Sequence, residues 1–94
     1  MAIPMTGKVT VAPGTWINAV GGESVILNVR NPFLCSLDEI GTRMRTVLAA
    51  ADSIQVAYEQ LLNEYHVDGM RLQTDLRNLI PMLLKHRLVE VHRA

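Results

Sequence analysis

The chain has 94 residues, which suffices for the core of one domain but not of two. Although 49% of the residues are hydrophobic, no apolar run approaches the ~18 residues that a membrane span requires. Nine basic and nine acidic residues cancel, which argues against a general affinity for nucleic-acid phosphates. We therefore expect a single domain over residues 1–94 that binds neither membranes nor nucleic acid.

The first residues and the cysteine content indicate where the protein works. Residues 1–8 are predicted to be a flexible lead-in, and polar and turn residues follow Lys8 where an export signal would be apolar. The single cysteine, Cys35, cannot form an internal disulfide and fits a reducing compartment. We expect a cytoplasmic protein in which Cys35 is a small buried side chain.

The first third of the chain has the composition of β-strands. Thr15 to Val20 and Glu23 to Val29 are rich in Val, Ile, Thr and Trp, and Gly21-Gly22 between them tolerates the positive φ of a tight turn. This pattern predicts a β-hairpin. After a second turn at Arg30-Asn31-Pro32, Phe33 to Leu37 reads as a short apolar strand without an obvious outer neighbour, so we expect it at the edge of the sheet.

The remaining two thirds are predicted to be helical. Ser36 with Glu39 matches a capping box for a first helix, and Asp52-Ser53 and Asp68 can cap two more. Apolar residues then recur at helical spacing. They are Ile40, Met44, Val47, Leu48 and Ala51, then Ile54, Ala57, Tyr58, Leu61, Leu62 and Tyr65, then Leu72, Leu76, Leu79, Ile80 and Leu83. The predicted fold class is α+β, an antiparallel three-stranded sheet followed by three helices.

Pro81 interrupts the third apolar stripe, because it lacks the N–H that would bond the carbonyl of Arg77. Either the helix kinks there, or it ends near Ile80 and a separate turn follows. Leu88 to Val91 is predicted to be a short extended tail.

The sequence shows no arrangement typical of catalysis or metal binding. His66, His86 and His92 lack the spacing of a helical metal pair, and there is one thiol. No G-x-S-x-G motif occurs. We expect no catalytic residue, no metal site and no cofactor, and hence no enzymatic activity of the chain alone.

Five segments, in this order and spacing, resemble the PqqD family. They are Val25 to Asn28, Phe33 to Gly41, Glu64 to Asp68, Asp75-Leu76 and Arg87 to Val89, within a resemblance over about residues 9 to 91. Two positions depart from the family's pattern. Pro81 is unusual in the third helix, and Arg87 stands where many relatives have glycine.

The resemblance implies a winged-helix-like RiPP recognition element, a domain that binds leader peptides of ribosomally made, modified peptides. The long lead-in and the Leu37 to Gly41 run look most like the stand-alone proteins of lasso peptide biosynthesis. There the implied partners are a precursor leader peptide and a transglutaminase-like leader peptidase. A chaperone of another modified-peptide pathway is the alternative within the family.

A physical argument leads to the same kind of site, because an exposed apolar edge strand needs protection or a use. A leader could pair with the 33–37 edge while its side chains enter a groove beside the third helix. The predicted peptide-binding residues are Phe33, Leu34, Cys35, Ser36, Leu72, Asp75, Leu76 and Leu79. Core packing is the competing interpretation for the leucines, solvation for Asp75, and aromatic packing for Phe33 and Trp16.

Two other functions fit parts of the pattern. A winged-helix DNA-binding protein would place Arg71, Thr74, Arg77 and Asn78 in a major groove, although the carboxylate of Asp75 would face the same phosphates. A structural subunit would associate constantly with one protein and bind no peptide.

Overall fold

The computed structural model describes residues 5–65 and 68–92, with side chains for all of these except residues 31–33. His66, residues 1–4 of the predicted lead-in and the Phe33 side chain lie outside this description. The elements are β1 Lys8–Val11, β2 Thr15–Val20, β3 Glu23–Asn28, β4 Asn31–Leu37, α1 Glu39–Ala50, α2 Ile54–Tyr65, α3 Gly69–Lys85 and β5 Val89–His92. The predicted three-stranded antiparallel sheet followed by three helices is confirmed.

The predicted hairpin forms between β2 and β3. Gly21 and Gly22 have φ of 61° and 84°, the left-handed values that a two-residue turn of this kind requires at both positions. The strands pair from Val20 opposite Glu23 down to Thr15 opposite Asn28. The turn therefore sets the register of the sheet.

Strand β4 is at the edge of the β2-β3-β4 sheet, as predicted. It begins earlier than predicted, and the turn before it is Val29-Arg30 rather than Arg30-Asn31-Pro32. The reason is Asn28, whose side-chain oxygen accepts a hydrogen bond from the Arg30 N–H at 2.8 Å.

A second, two-stranded sheet joins the two ends of the chain. The predicted extended tail is β5, which pairs antiparallel with β1 so that Val9 lies opposite Val91. Lys8 opens β1, and its ammonium donates to the carbonyls of Ala49 and Ala51 at the end of α1. Lys8, the last residue of the predicted lead-in, is thus the first residue of β1.

The helix starts follow two of the three predicted caps. Ser53 accepts from Val56 N–H at 3.1 Å, and Asp68 accepts from Met70 N–H at 3.0 Å. The first cap is Asp38, which accepts from Gly41 N–H at 2.8 Å, and not Ser36. Ser36 is still part of β4, which ends at Leu37, and α1 begins at Glu39, so Asp38 and not Ser36 stands directly before the helix.

Helix α3 continues through Pro81 to Lys85, which excludes the alternative that it ends near Ile80. Its end is closed by Leu88 N–H bonding Leu83 C=O at 2.9 Å and Arg87 N–H bonding Leu84 C=O at 3.1 Å. These two bonds form a Schellman motif, whose closing position is left-handed. Arg87 holds that position at φ 59°, a conformation that glycine adopts more readily than arginine.

The hydrophobic core lies between one face of the sheet and the three helices. Its buried residues are Val9, Ile26, Cys35, Leu37, Met44, Val47, Leu48, Ala51, Ile54, Ala57, Leu61, Leu72, Leu76, Leu79, Ile80, Leu83, Leu88 and Val89. None of the helices in the described part of the chain is long and apolar enough to cross a membrane.

Candidate functional site

The Gly21-Gly22 turn determines which backbone groups of β3 are paired with β2. In a two-residue hairpin the residues that flank the turn form a hydrogen-bonded pair, and such pairs then alternate along the ladder. Glu23 is therefore bonded to β2, and the backbone groups of Ser24 and Ile26 point the other way, toward β4.

The same alternation orients the backbone of β4. Leu37 lies opposite Ser24 and Cys35 opposite Ile26, so these two residues form the hydrogen-bonded pairs with β3. The N–H and C=O groups of Ser36 then point to the open edge, and the same alternation carried one residue past Cys35 predicts this for Leu34. Leu34 ends an irregular stretch of β4: Asn31 lies opposite Asn28, so residues 32–34 face the single residue Leu27. This edge offers main-chain donors and acceptors to an incoming chain.

A groove of about 640 Å³ lies beside this edge, between the end of β4, the first turn of α1 and helix α3. Its walls carry apolar and polar side chains in equal numbers. The lining residues are Ser36, Leu37, Asp38, Ile40, Gly41, Met44, Arg71, Asp75, Asn78, Leu79 and Met82. We call this space the α3 groove.

A smaller space of about 350 Å³ extends the α3 groove toward the start of helix α3. The two spaces share Ile40, Met44, Arg71 and Asp75, so they form one continuous depression. A depression that runs along a helix beside an open strand edge has the shape that an extended peptide needs.

The structure brings together six of the eight residues predicted as peptide contacts. Ser36, Asp75 and Leu79 line the α3 groove, and Leu72 lines its extension. Leu34 and Cys35 lie on the edge strand: the Leu34 side chain is 59% exposed, and the Cys35 thiol is buried with its sulfur 3.7 Å from that of Met82.

The other two predicted contacts are Leu76 and Phe33, and for neither does the structure describe a side chain at the groove. Leu76 is 2% exposed and lines neither part of the groove, so the structure places it in the core. For Phe33 only the backbone, within β4, is described.

Sequence reasoning missed several groove residues. Ile40 is 55% exposed at the rim, although its spacing from the buried Met44 predicted a shared buried face. Met82 also lines the groove, and Arg71 and Asn78 were considered only for a DNA-binding helix. Ile40 lies in the first turn of α1, four residues before the core residue Met44. Nothing in the local sequence distinguishes such an exposed apolar residue from a buried one.

The charges of the depression are mainly negative. Asp38, Asp68 and Asp75 line it, and Arg71 is the cation among the lining residues. Asp38 and Asp68 also cap helices, where each accepts a hydrogen bond from a backbone N–H. Such a surface repels phosphates, which disfavours the DNA-binding alternative.

Burial affects the chemistry of the one thiol. Desolvation raises the pKa of Cys35 above its usual value, so the thiol is held in its neutral form and is a poor nucleophile. In the described residues no three His, Cys, Asp or Glu side chains are grouped as a metal site would require.

The sequence matches the family model described as coenzyme PQQ synthesis protein D (PqqD) over residues 23–89. The chain belongs to the PqqD family. The matched range runs from the start of β3 to the first residue of β5, so it contains the open edge and the α3 groove.

A solved structure has the same fold. The complex described as TbiB1 with the TbiA(beta) leader peptide superposes with a TM-score of 0.77, covering 86% of this chain and 94% of that chain at 22% sequence identity. No curated protein matched the sequence.

Proposed function

We propose that this protein binds the leader segment of a ribosomally made precursor peptide by adding it as a strand to the edge of β4. The observation that supports the proposal is the open edge itself: Ser36 lies between the paired residues Cys35 and Leu37, so its backbone groups face outward, and Ser36 also lines the α3 groove. The PqqD-type fold is shared with TbiB1, which was solved with a leader peptide.

The composition of β4 supports this use of the edge. Edge strands that avoid pairing usually carry charged residues, above all lysine. Strand β4 runs Asn-Pro-Phe-Leu-Cys-Ser-Leu and contains no charged residue. Pro32 has no N–H to donate, which is tolerated on edge strands. The N–H groups of Leu34 and Ser36 are not affected by it.

The depression would supply specificity while the strand supplies affinity. Main-chain hydrogen bonds along an edge are largely independent of sequence, whereas pockets select particular side chains. Ile40, Met44 and Leu79 offer apolar contacts, and Asp75 offers an acceptor for a polar or basic group of the peptide.

We further propose that the bound leader is presented to a partner leader peptidase of the transglutaminase-like type in lasso peptide maturation, in the cytoplasm. The protein itself supplies recognition and no chemistry. Incubation of the precursor with this protein, with the peptidase and with both would test this step. We expect cleavage only where the peptidase is present, and faster cleavage when both are present.

Proline substitutions on β4 test strand addition. Leu34→Pro removes an outward N–H and should leave the sheet folded, whereas Cys35→Pro removes an N–H bonded to β3 and should unfold or weaken the domain. Circular dichroism reports folding, and fluorescence anisotropy reports binding of the labelled leader segment of a lasso precursor peptide.

We expect Leu34→Pro to stay folded and to bind this leader at least about tenfold more weakly, since a main-chain bond is lost and the ring obstructs approach. Leu34→Ala is the matched control for loss of the side chain. If folded Leu34→Pro binds like the wild type, the leader does not pair with this edge.

A further inference from the structure

The sheet face that points away from the core carries uncovered apolar side chains. Trp16 is 55% exposed, Leu34 59% and Val20 71%. On β3 the residues of the opposite face are buried in the core, and the outward-facing residues Val25 and Leu27 are half-buried. We call the outward surface of β2, β3 and β4 the outer face.

Leu34 occupies a special place on the outer face. Its neighbour Cys35 is buried and pairs with Ile26, whereas Leu34 is exposed, so alternation places the Leu34 side chain on the outer face. Alternation from Cys35 also directs the Leu34 backbone groups to the open edge, at the end of the irregular stretch 32–34. Behind it, on the same face, Trp16 lies opposite Leu27. Apolar side chains thus extend across the sheet up to the edge at which a peptide would pair.

A peptide strand at that edge necessarily has two faces. Its side chains alternate, so one set points to the side of the α3 groove and the other set lies on the outer face, beside Leu34 and Ser36. Directly opposed side chains on neighbouring strands are about 5 Å apart and contact each other.

We infer that the outer face is a second specificity site for the peptide, and that Leu34 selects an apolar side chain at the outward position opposite it. This inference rests on the proposed strand addition and extends it, because it assigns recognition to both faces of the bound strand. The position opposite Ser36, two residues away, faces a hydroxyl and selects a polar or small side chain.

The occupant follows from the register of the edge. Pairing with β4 by itself puts every second side chain of the peptide on the outer face. These side chains enlarge the apolar surface of Leu34, Leu27 and Trp16 by one strand. A second copy of the chain or another protein would instead use the whole face, including Val20 at its far corner.

The test compares Leu34→Lys with Val20→Lys. Both substitutions place a cation at an exposed position of the outer face, and lysine is well tolerated on edge strands. Val20 lies opposite Glu23 on β2, the strand at the other edge of the sheet, where a lysine meets an opposite charge. Wild type and both variants are used to select binders from a phage library of random peptides.

We expect wild type to select peptides with an apolar residue at one fixed position, and Leu34→Lys to select Asp or Glu there. Peptides selected on wild type should bind Leu34→Lys about fivefold or more weakly, and Val20→Lys with unchanged affinity. Unchanged selection by Leu34→Lys overturns the inference, and so does an equal loss in Val20→Lys, which would show that a larger partner covers the face.

The Leu34→Pro variant separates the two proposals. One outcome is that Leu34→Pro abolishes binding of the selected peptides while Leu34→Lys selects the same peptides as wild type. In that case strand addition stands and outer-face recognition is wrong. If Leu34→Pro binds the peptides fully, strand addition is wrong and the inference falls with it.

Discussion

The Cys35 sulfur lies 3.7 Å from the Met82 sulfur and joins the edge strand β4 to helix α3. Cys35 is buried, and Met82 lines the α3 groove, so the contact connects the core side of β4 with the wall of the groove. Cys35 is the only cysteine of the chain.

The Cys35 thiol should react slowly in the folded protein. It is 5% exposed, and desolvation raises its pKa, so at pH 8 a smaller fraction is thiolate than in a free cysteine. We expect Ellman's reagent to react about tenfold or more slowly than with the protein unfolded in guanidinium chloride. Equal rates in the two states would show that the strand edge opens readily.

Alanine substitutions at Leu76 and Leu79 should affect stability and leader binding to different extents. Leu76→Ala removes a core side chain and should cost about 2 to 5 kcal/mol of unfolding free energy. Leu79→Ala should cost less, because its side chain borders the α3 groove, and should weaken leader binding in the fraction that remains folded. Urea unfolding and anisotropy are measured in parallel, and a folded Leu79→Ala variant with full affinity would place the leader elsewhere.

Arg87→Gly should stabilise the end of α3. Arg87 has φ 59°, a region that costs a non-glycine residue about 1 kcal/mol or more, partly offset by the greater freedom of glycine in the unfolded chain. We expect a gain of up to about 1 kcal/mol in thermal or urea unfolding. Arg87→Ala is the control, since it removes the side chain but keeps the strain, and it should give no gain.

The Arg43 and Glu64 side chains form a bidentate ion pair that links α1 to α2. The hydrogen bond from Arg43, with its charge, lowers the pKa of Glu64. A carboxyl group with a lowered folded pKa stabilises the protein above its unfolded pKa and loses this effect as the pH falls through the folded pKa.

Glu64→Gln should therefore be slightly less stable than wild type at neutral pH, by a small amount because both groups are largely in solvent. The difference should disappear in acid and shrink in high salt. Urea unfolding at several pH values measures it. A difference that persists at acid pH would mean that the substitution acts through packing and not through charge.

Much of the fold could be predicted because its determinants are local. Gly21-Gly22 sets a turn by itself, Ser53 and Asp68 cap the helices that follow them, and apolar spacing marks the buried faces. The position of β4 at the sheet edge was also predicted, although the later extended segment, which forms β5, could have covered it and pairs with β1 instead.

Tertiary structure decided the rest, because the deciding partners are far apart in sequence. The pairing of β1 with β5 depends on both chain ends meeting. Asp38 has the capping role because β4 continues to Leu37 and α1 therefore begins at Glu39. Leu76 and Leu79 have the same local pattern and are both buried, and only the position of α3 against β4 and α1 makes Leu79 also line the groove.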